Sequence, residues 1–358
     1  MTHVFLLFLL FFARLESVEI VTDTFSPTEF TETVVLDLMK KNQIPGVAVA
    51  LFYNQQPHLL NFGFADDQEK HPVTPDTIFE IGSITKVFTS TAVAIEVVKN
   101  KMRLSDPVVK YLPGIKKRMK GIGKVTLAQL STHTSSLPRV PPPLPPHKGK
   151  QYYPTSLLQF LEEWEAPYPI GTHYLYSNLG FGILGDAVAR VERRPYGEAI
   201  KHLILQPLEM RSTFVIVPHL LQSFYAYGYN KNGALAERYP LNAWPGGGAL
   251  RSTSDDMLKF LMANLGIEGP PEILTAMQLA QKGLYKVNAN LTMGLGWQKF
   301  AKEDLIIVDK NGGVEGFSSY IGLIPDKKIG IVLLANKGKA QLTKIGREIL
   351  IQFAKQIN

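Results

Sequence analysis

The chain has 358 residues, of which 45% are hydrophobic and 19% charged, a composition typical of a folded globular protein with room for one large two-lobed domain or two domains. Its 38 lysines and arginines against 31 aspartates and glutamates give a formal net charge of +7, which favours anionic surroundings such as phospholipid or cell-wall polymer, but no basic run with interleaved aromatic residues indicates nucleic-acid binding. The absence of cysteine excludes disulfides and thiolate chemistry, and eight scattered histidines without an H-x-H or H-E-x-x-H pair lead us to expect neither a metal nor another cofactor.

The sequence begins with a strongly apolar segment, Val4 to Ala13. It is too short to span a bilayer, which needs about 20 residues, but it has the length of a signal-peptide core. No Lys or Arg precedes it and no A-x-A cleavage site follows it, so an N-terminal anchor is the alternative to a cleaved signal. We therefore predict that residues 1–17 direct export, and that the protein is periplasmic or secreted or stays anchored to the membrane.

The elements that follow predict a helix and a hairpin. Thr28 to Lys41 has the pattern of an amphipathic helix, and Gly46 to Tyr53 and Leu59 to Ala65 have the apolar content of strands. The polar residues 54–57 between the two strands predict the turn.

The segment with the clearest chemical content contains Ser83 and Lys86, at the start of the apolar run Val87 to Val98. The run lacks Gly and Pro and predicts a buried helix, on which residues i and i+3 share one face. The Lys86 amine can therefore reach the Ser83 hydroxyl, as in a serine nucleophile with a lysine base. Lowering a lysine pKa from about 10.4 to about 7 costs about 4.6 kcal/mol, which burial and a second cation can supply. S-x-x-K also recurs by chance, so this pair needs partners.

The middle of the chain predicts alternating helices and loops, with Thr126 to Ser131 beginning one helix. The proline-dense segment Leu137 to Pro146 predicts an extended, stiff loop, either packed within the domain or serving as a P-x-x-P ligand. His133 in the preceding loop is more typical of a structural histidine than of a base. Tyr176 and Asn178 lie two residues apart before a helical run, so a phenol and an amide can both face a cleft, although a capped helix behind a packed tyrosine explains the motif better when it is taken alone.

The last part of the chain is rich in strands. Leu305 to Asp309, Ser319 to Ile324 and Ile329 to Ala335 predict strands, a hairpin turn falls at residues 325–328, and Thr343 to Gln356 predicts the final helix. Lys310, followed by Asn311 and two glycines, stands at a strand end, where a cation and close-approaching backbone N–H groups can meet a ligand.

These elements predict an α/β fold of the α+β type. The N- and C-terminal strands would close into one antiparallel sheet flanked by helices, with a mostly helical lobe inserted between them. The predicted organisation is a single domain, residues 18–358, with an α/β lobe formed by residues 25–85 and 290–358 and a helical lobe of about 86–289. A site is expected in the cleft between the lobes.

The order S-x-x-K, Y-x-N, K-x-G, with a helical region between the first and third motifs, resembles the serine β-lactamase and penicillin-binding superfamily. Tyr176 in the second motif resembles the class C β-lactamases and their peptidase and esterase relatives. Ser131 to Pro138 looks like the family's loop segment, and Gly294 to Trp297 and Ser319 to Lys337 look like its C-terminal strands. The resemblance covers the chain from about Pro45 to the C-terminus.

The resemblance implies roles for the reacting groups. Ser83 would be the acylated nucleophile, and Lys86 and Tyr176 would share the proton transfers. Lys310 would hold Tyr176 and the substrate carboxylate. It would stabilise a Tyr176 phenolate and also disfavour a charged Lys86, so the sequence leaves the base open between the two.

The resemblance also implies the binding groups. Asn178 would bind the substrate amide, and Asn311 would stand beside the substrate carboxylate. The backbone N–H groups of Ser83 and Gly313 would form the oxyanion hole, typically worth about 3 kcal/mol per donor.

Two departures from the family pattern concern the substrate. Asn311 stands where β-lactamases usually have threonine, and the interval from Trp297 to Lys310 is shorter than is typical of class C enzymes. Both are more like the peptidase and esterase relatives, whereas many of those have histidine at the position of Lys310. The leading hypothesis is β-lactam hydrolysis. A D-Ala-D-Ala peptidase or esterase is the alternative, and a non-catalytic peptidoglycan-binding homologue is the third. We expect a monomer that meets a small β-lactam or a wall peptide, near a membrane or wall surface.

Overall fold

The computed structural model describes residues 25–112, 121–141, 154–238 and 245–357. These residues contain a nine-stranded antiparallel sheet and a separate two-stranded ribbon. The strands are β1 Gly46–Tyr53, β2 Gln56–Asp66, β3 His71–Pro72, β4 Phe79–Glu80, β5 Arg251–Ser252, β6 Tyr285–Asn288, β7 Leu291–Met293, β8 Gln298–Lys302, β9 Leu305–Gly313, β10 Ser318–Ile324 and β11 Ile329–Ala335. The large sheet has the order β3-β2-β1-β11-β10-β9-β8-β7-β6, and β4 pairs with β5.

The helices of the described residues pack on both faces of the sheet, and most of them lie between β4 and β6 in chain order. They are α1 Pro27–Asn42, α2 Thr85–Val98, α3 Leu127–Ser131, α4 Pro154–Glu163, α5 Asn178–Glu192, α6 Tyr196–Ile200, α7 Ser254–Asn264, α8 Pro271–Gln281 and α9 Leu342–Gln356. A 3₁₀ turn, Gly82–Ile84, leads directly into α2.

Strand β1 separates two hydrophobic cores. Its residues alternate between the sheet faces with the two-residue period of a strand. Val47, Val49 and Leu51 belong to the core under α1 and α9, and Ala48 and Ala50 belong to the larger core around α2, α5, α7 and α8. Both faces of the central strands are therefore buried, which explains why β1 reads as a continuous apolar run.

The N-terminal and C-terminal strands pair in one sheet as predicted. Strand β1 pairs antiparallel with β11, with Val47 opposite Ala335. Asn54 (φ 48°) and Gln55 (φ 61°) form the two-residue turn between β1 and β2, with the positive φ values that tight hairpins need. The predicted α/β class, the antiparallel sheet and the elements named from the sequence, apart from Gly294 to Trp297, are confirmed.

The prediction for Gly294 to Trp297 is wrong. These residues form the tight connection between β7 and β8 and not a strand. Gly296 has φ +71°, and the Gly294 N–H donates to the Trp297 carbonyl at 2.9 Å, so the backbone turns back on itself here. The sequence prediction also missed β6, β7 and β8. It ended β9 at Asp309, four residues before the observed end of the strand at Gly313.

Several predictions fall partly or wholly on residues outside the described ranges. The leader, residues 1–17, lies outside them, as do residues 142–146 of the proline-dense segment; residues 137–141 carry no helix or strand. The boundaries of the two lobes stay a prediction. No helix of the described ranges is long and apolar enough to cross a membrane.

Candidate active site

Ser83 lies in the turn that begins helix α2. Gly82 before it has φ +49°, and a Cβ at this position would lie 2.7 Å from the Gly313 nitrogen. Only glycine fits this conformation and this approach without strain. The turn therefore presses against the end of β9, while the Ser83 side chain remains partly exposed.

Lys86 is fully buried one turn into α2. Its Nζ lies 3.1 Å from Ser83 Oγ and 2.9 Å from Asn178 Oδ1, and it also donates to the Gly247 carbonyl. Burial lowers the pKa of Lys86 well below the usual lysine value, and the positive charge of Arg139 lowers this pKa further. The geometry and the electrostatics together favour a neutral amine beside the Ser83 hydroxyl.

Tyr176 supplies a second hydrogen bond to Ser83 from a loop before α5. Its Oη lies 2.6 Å from Ser83 Oγ, and either hydroxyl can be the donor. The loop is fixed by Ser177, whose Oγ accepts from the Gly180 N–H at 2.8 Å as the helix cap and donates to the Pro138 carbonyl at 2.7 Å. The cap therefore fixes the positions of both neighbouring residues: Tyr176, just before the helix, and Asn178, the first residue of the helix.

Lys310 reaches the site from β9 and is also buried. Its Nζ lies 5.1 Å from the centroid of the Tyr176 ring, within the range of a cation–π contact. Burial lowers the pKa of Lys310, as does the charge of Lys86, while Tyr176 and Asp309 act in the opposite direction. Two buried amines thus lie on one tyrosine.

The glycines of β9 bring the strand against the turn that carries Ser83. A Cβ on Gly312 would lie 2.1 Å from the Ile81 carbonyl oxygen, and Ser319 Oγ donates to the same oxygen at 2.8 Å. Asn311 and Gly313 are exposed at this edge. The seven residues predicted to act in catalysis or binding therefore lie on the elements that meet here: the Ser83 turn with α2, the α5 cap, and β9.

His133 is a component that the sequence singled out only as a structural residue. Its ring centroid lies 4.4 Å from that of Tyr176, and its Nδ1 accepts from the Ser177 N–H at 3.1 Å. Burial, and the charges of Lys310 and Lys86, lower the pKa of His133 well below the usual histidine value. A neutral ring whose Nδ1 is already occupied supports the tyrosine and takes no proton from Ser83.

The Gly247 carbonyl was missed in the sequence. The segment that contains it lies along α2, because Thr89 Oγ1 donates to the Gly246 carbonyl at 2.8 Å and Thr85 Oγ1 accepts from the Leu250 N–H at 3.0 Å. The run of three glycines at 246–248 was the available signal, since such runs mark close backbone approach.

A buried charged network holds this segment to the Ser83 turn. Strand β4 pairs with β5, placing Glu80 opposite Arg251. Arg251 Nη2 lies 3.4 Å from Glu80 Oε1, to which Tyr225 Oη donates at 2.5 Å. Burial and the Glu80 charge raise the pKa of Tyr225, which keeps the phenol as the donor.

The assembled groups suit nucleophilic acyl transfer. One hydroxyl lies within hydrogen-bond distance of an amine and a phenol, an amide oxygen accepts from the amine, and the Gly313 nitrogen lies against Gly82, the residue before the serine. Nothing in the described ranges gathers three or more histidine, aspartate or glutamate side chains in a metal-binding arrangement.

Comparisons with known proteins agree with this chemistry. The family model described as Beta-lactamase matches residues 31–354. A β-lactamase of Yersinia enterocolitica is 30% identical over 334 residues, covering 84% of each chain. A class C β-lactamase solved with cefoxitin has a TM-score of 0.84 and 28% identity, covering 91% of this chain and 98% of its own. A D-alanine carboxypeptidase from Burkholderia cenocepacia has a TM-score of 0.81 and 28% identity, with 91% and 99% covered.

Proposed function

The chain belongs to the β-lactamase family and is a serine hydrolase of the class C-like branch, and on this premise we propose that it hydrolyses β-lactams through an acyl-enzyme on Ser83. The observation that carries the proposal is the position of Ser83 Oγ, 2.6 Å from Tyr176 Oη and 3.1 Å from Lys86 Nζ. A hydroxyl so placed can lose its proton as it attacks.

In the proposed acylation, Ser83 Oγ attacks the lactam carbonyl carbon while its proton passes to the coupled pair of Lys86 and Tyr176. The backbone N–H groups of Ser83 and Gly313 receive the developing oxyanion. The lactam C–N bond then breaks, and the leaving nitrogen takes the proton back from the pair. A water molecule, deprotonated by the same pair, attacks the ester carbonyl carbon; the bond to Ser83 Oγ breaks, Ser83 takes the proton back from the pair, and the product acid leaves.

The proposed binding groups surround this reaction. Asn178 contacts the amide of the acyl side chain, while its Oδ1 also fixes Lys86 Nζ at 2.9 Å. Lys310 and Asn311 receive the carboxylate on the other side of the scissile bond. Lys310 makes no hydrogen bond within the described residues, and an anion would satisfy its ammonium group.

A D-Ala-D-Ala carboxypeptidase is the second candidate, and one feature favours it. Strands β8 and β9 are joined by only Glu303 and Asp304, with Lys302 paired to Leu305. This tight hairpin leaves that flank of the cleft without the insertion that the family pattern implies for class C enzymes. With Asn311 in place of threonine, it makes wall peptides a plausible substrate in addition to β-lactams.

The nucleophile is tested by Ser83→Ala. We expect this variant to lose covalent capture of a fluorescent penicillin completely while its circular dichroism stays that of the parent. Ser105→Ala, at an exposed serine outside the site, is the matched control and should label fully. Labelling of the Ser83 variant at the parent level would show that another residue is acylated.

The substrate is tested by the fate of the acyl-enzyme. Stopped-flow kinetics with a penicillin, a cephalosporin, a D-Ala-D-Ala peptide and a p-nitrophenyl ester would be compared, with mass spectrometry of the intact protein. A β-lactamase clears the acyl group quickly, whereas a penicillin-binding peptidase stays labelled. A non-catalytic homologue would not be labelled at all.

The proposal extends to the setting of the enzyme. We propose that residues 1–17 direct export, that the protein acts in the periplasm or outside the cell as a monomer, and that it confers β-lactam resistance there. N-terminal sequencing of the cell-derived protein, light scattering and susceptibility testing of cells with and without Ser83→Ala would check these three statements separately.

A further inference from the structure

Arg139 is a cation at the site, and the family resemblance implies no role for it. The centroid of the Tyr176 ring lies 5.1 Å from Arg139 Cζ, 5.0 Å from Lys86 Nζ and 5.1 Å from Lys310 Nζ. Both lysines are buried, whereas Arg139 is exposed. Of these three basic side chains, Arg139 is therefore the one that a ligand in solution can contact first.

The backbone at Arg139 is tied to the element that carries the amide-binding residue. The Arg139 carbonyl accepts from the N–H groups of Asn178 at 2.9 Å and of Leu179 at 3.3 Å. The preceding Pro138 carbonyl accepts from Ser177 Oγ at 2.7 Å. The arginine is thus held on the Asn178 side of the site, and little loop ordering is needed when a ligand binds.

Among the described residues, no carboxylate pairs with the Arg139 guanidinium. Across the ranges that the structure describes, no carboxylate lies within ion-pair distance of Arg139, Lys86 or Lys310. Asp309, the neighbour of Lys310, is paired with Arg347 at 2.6 Å. Arg139 and Lys310 beside one aromatic ring, without a carboxylate partner for either, create a positive potential that favours anionic ligands.

We infer that Arg139 selects acyl donors that carry a second anionic group on the acyl side, next to the amide held by Asn178. The inference rests on the proposed function for the location of the scissile bond. Its guanidinium can bind a carboxylate through paired N–H donors, and it lies one tyrosine ring away from the Ser83 hydroxyl. Dianionic penicillins and wall peptides with a free side-chain carboxylate have the required chemistry.

The test uses two penicillins that differ by one carboxylate. Benzylpenicillin has a single carboxylate, and carbenicillin adds a second on the α carbon of its acyl side chain. We expect the ratio of acylation kcat/KM for carbenicillin to that for benzylpenicillin to fall about tenfold in Arg139→Gln, the size of one charge-assisted contact. Arg139→Lys, which keeps the charge, should retain most of the ratio.

The controls separate this role from others. Arg211→Gln removes an exposed arginine that pairs with Glu209 at 3.3 Å outside the site, and it should leave the ratio unchanged. Raising the salt concentration should reduce the ratio in the parent and not in Arg139→Gln, because exposed charges are screened over about 10 Å at 0.1 M salt.

Two results would overturn the inference. One is an unchanged ratio in Arg139→Gln. The other is an equal fall in kcat/KM for both penicillins, together with a shift of the acid limb of the pH–rate profile to higher pH. That result would mean that Arg139 acts only through the pKa of Lys86.

A binding measurement keeps the inference distinct from the proposed function. Equilibrium binding of the two penicillins to Ser83→Ala, with and without Arg139→Gln, measures the charge preference without turnover. If the parent is not acylated by either penicillin but Ser83→Ala binds carbenicillin more tightly through Arg139, the proposed function fails and the inference stands. If the parent is acylated and binding shows no preference, the inference fails alone.

Discussion

A single hydroxyl oxygen, that of Ser83, lies within hydrogen-bond distance of both side chains that could take its proton. Lys86 is the partner whose environment most favours the neutral form, because burial and the Arg139 charge both lower its pKa. The hydrogen bonds of Lys86 to Asn178 and to the Gly247 carbonyl orient its amine towards Ser83 without supplying a counter-charge. The position of Lys86 and its lowered pKa both support it as the proposed base.

Lys86→Arg tests this assignment, because a guanidinium stays protonated in proteins. We expect acylation of Ser83 to slow by about 10²–10⁴-fold, the usual contribution of a positioned acid–base group. In the parent, acylation should rise with pH and reach its plateau below the usual lysine pKa, since the lowered pKa makes the neutral amine available at lower pH. Stopped-flow acylation between about pH 5.5 and 9.5 measures both.

The matched control for this prediction is Lys344→Arg on the exposed face of α9, where the lysine side chain is 74% exposed. Its acylation rate and pH profile should equal those of the parent. A Lys86→Arg enzyme that acylates at the parent rate would leave Tyr176 as the base.

At the scale of elements, β9 carries Lys310 on one face and Asp309 on the other. Asp309 is fully buried and is held by Arg347 of α9 at 2.6 Å and 3.2 Å and by Tyr320 Oη at 3.2 Å. Burial raises the pKa of Asp309, and Arg347 opposes that rise. The ion pair fixes the strand that delivers Lys310 to the site.

Arg347→Met should destabilise the protein strongly, by about 3–5 kcal/mol near pH 7, because it leaves a buried carboxylate without its cation. The carboxylate's pKa then rises further, so the folded state binds a proton more readily than the unfolded state over the pH range between the two pKa values. The loss of stability should therefore shrink as the pH falls through that range. Urea unfolding at about pH 5 and pH 8 would show this difference.

Lys344→Met on the same helix is the control for Arg347→Met. Lys344 and Glu348 form an exposed i,i+4 pair at 3.9 Å, and such a pair contributes about 0.3–0.5 kcal/mol. The double variant Arg347→Met with Asp309→Asn should recover much of the lost stability. Equal losses at both pH values would argue against a buried charge as the cause.

The elements found from the sequence are those with one strong local signal. Strand β1 is uniformly apolar because both of its faces are buried, and α2 lacks Gly and Pro along its buried length. Strands β6 to β8 are short and mostly polar or half-buried, and only their pairing with one another and, through β8, with β9 makes them strands. Their pattern therefore gave no signal that local sequence reasoning could detect.

The same distinction applies to the site. Residues with chemical side chains, such as Lys86 and Tyr176, could be found by spacing and resemblance. The Gly247 carbonyl and the contact of Arg139 with the tyrosine ring could not, because they depend on where a distant backbone segment and a loop come to lie. Tertiary placement decides their role, and a single sequence does not encode it locally.

At the scale of the whole molecule, the site depends on a sheet that joins the two ends of the chain. Helices α1 and α9 cover the face opposite α2, so they hold β1 and β11 together without contacting Ser83. Phe353 of α9 is buried there against aromatic rings, with ring centroids 5.0 Å away at Tyr53, 6.0 Å at Phe25 and 6.5 Å at Phe30. This cluster stabilises the fold from the side away from the chemistry.

Phe353→Ala should separate stability from activity. We expect a loss of about 3–5 kcal/mol in the free energy of unfolding, the usual cost of removing a fully buried phenylalanine, measured by urea denaturation. Well below the unfolding transition, kcat/KM per folded molecule should stay at the parent value, because Ser83 and Lys86 lie on the other face of the sheet. Leu36→Ala on α1, where the leucine is 45% exposed, is the control and should cost less than about 1 kcal/mol. A Phe353 variant that keeps its stability but loses acylation would mean that this core communicates with the site, and that the two faces of the sheet are not independent.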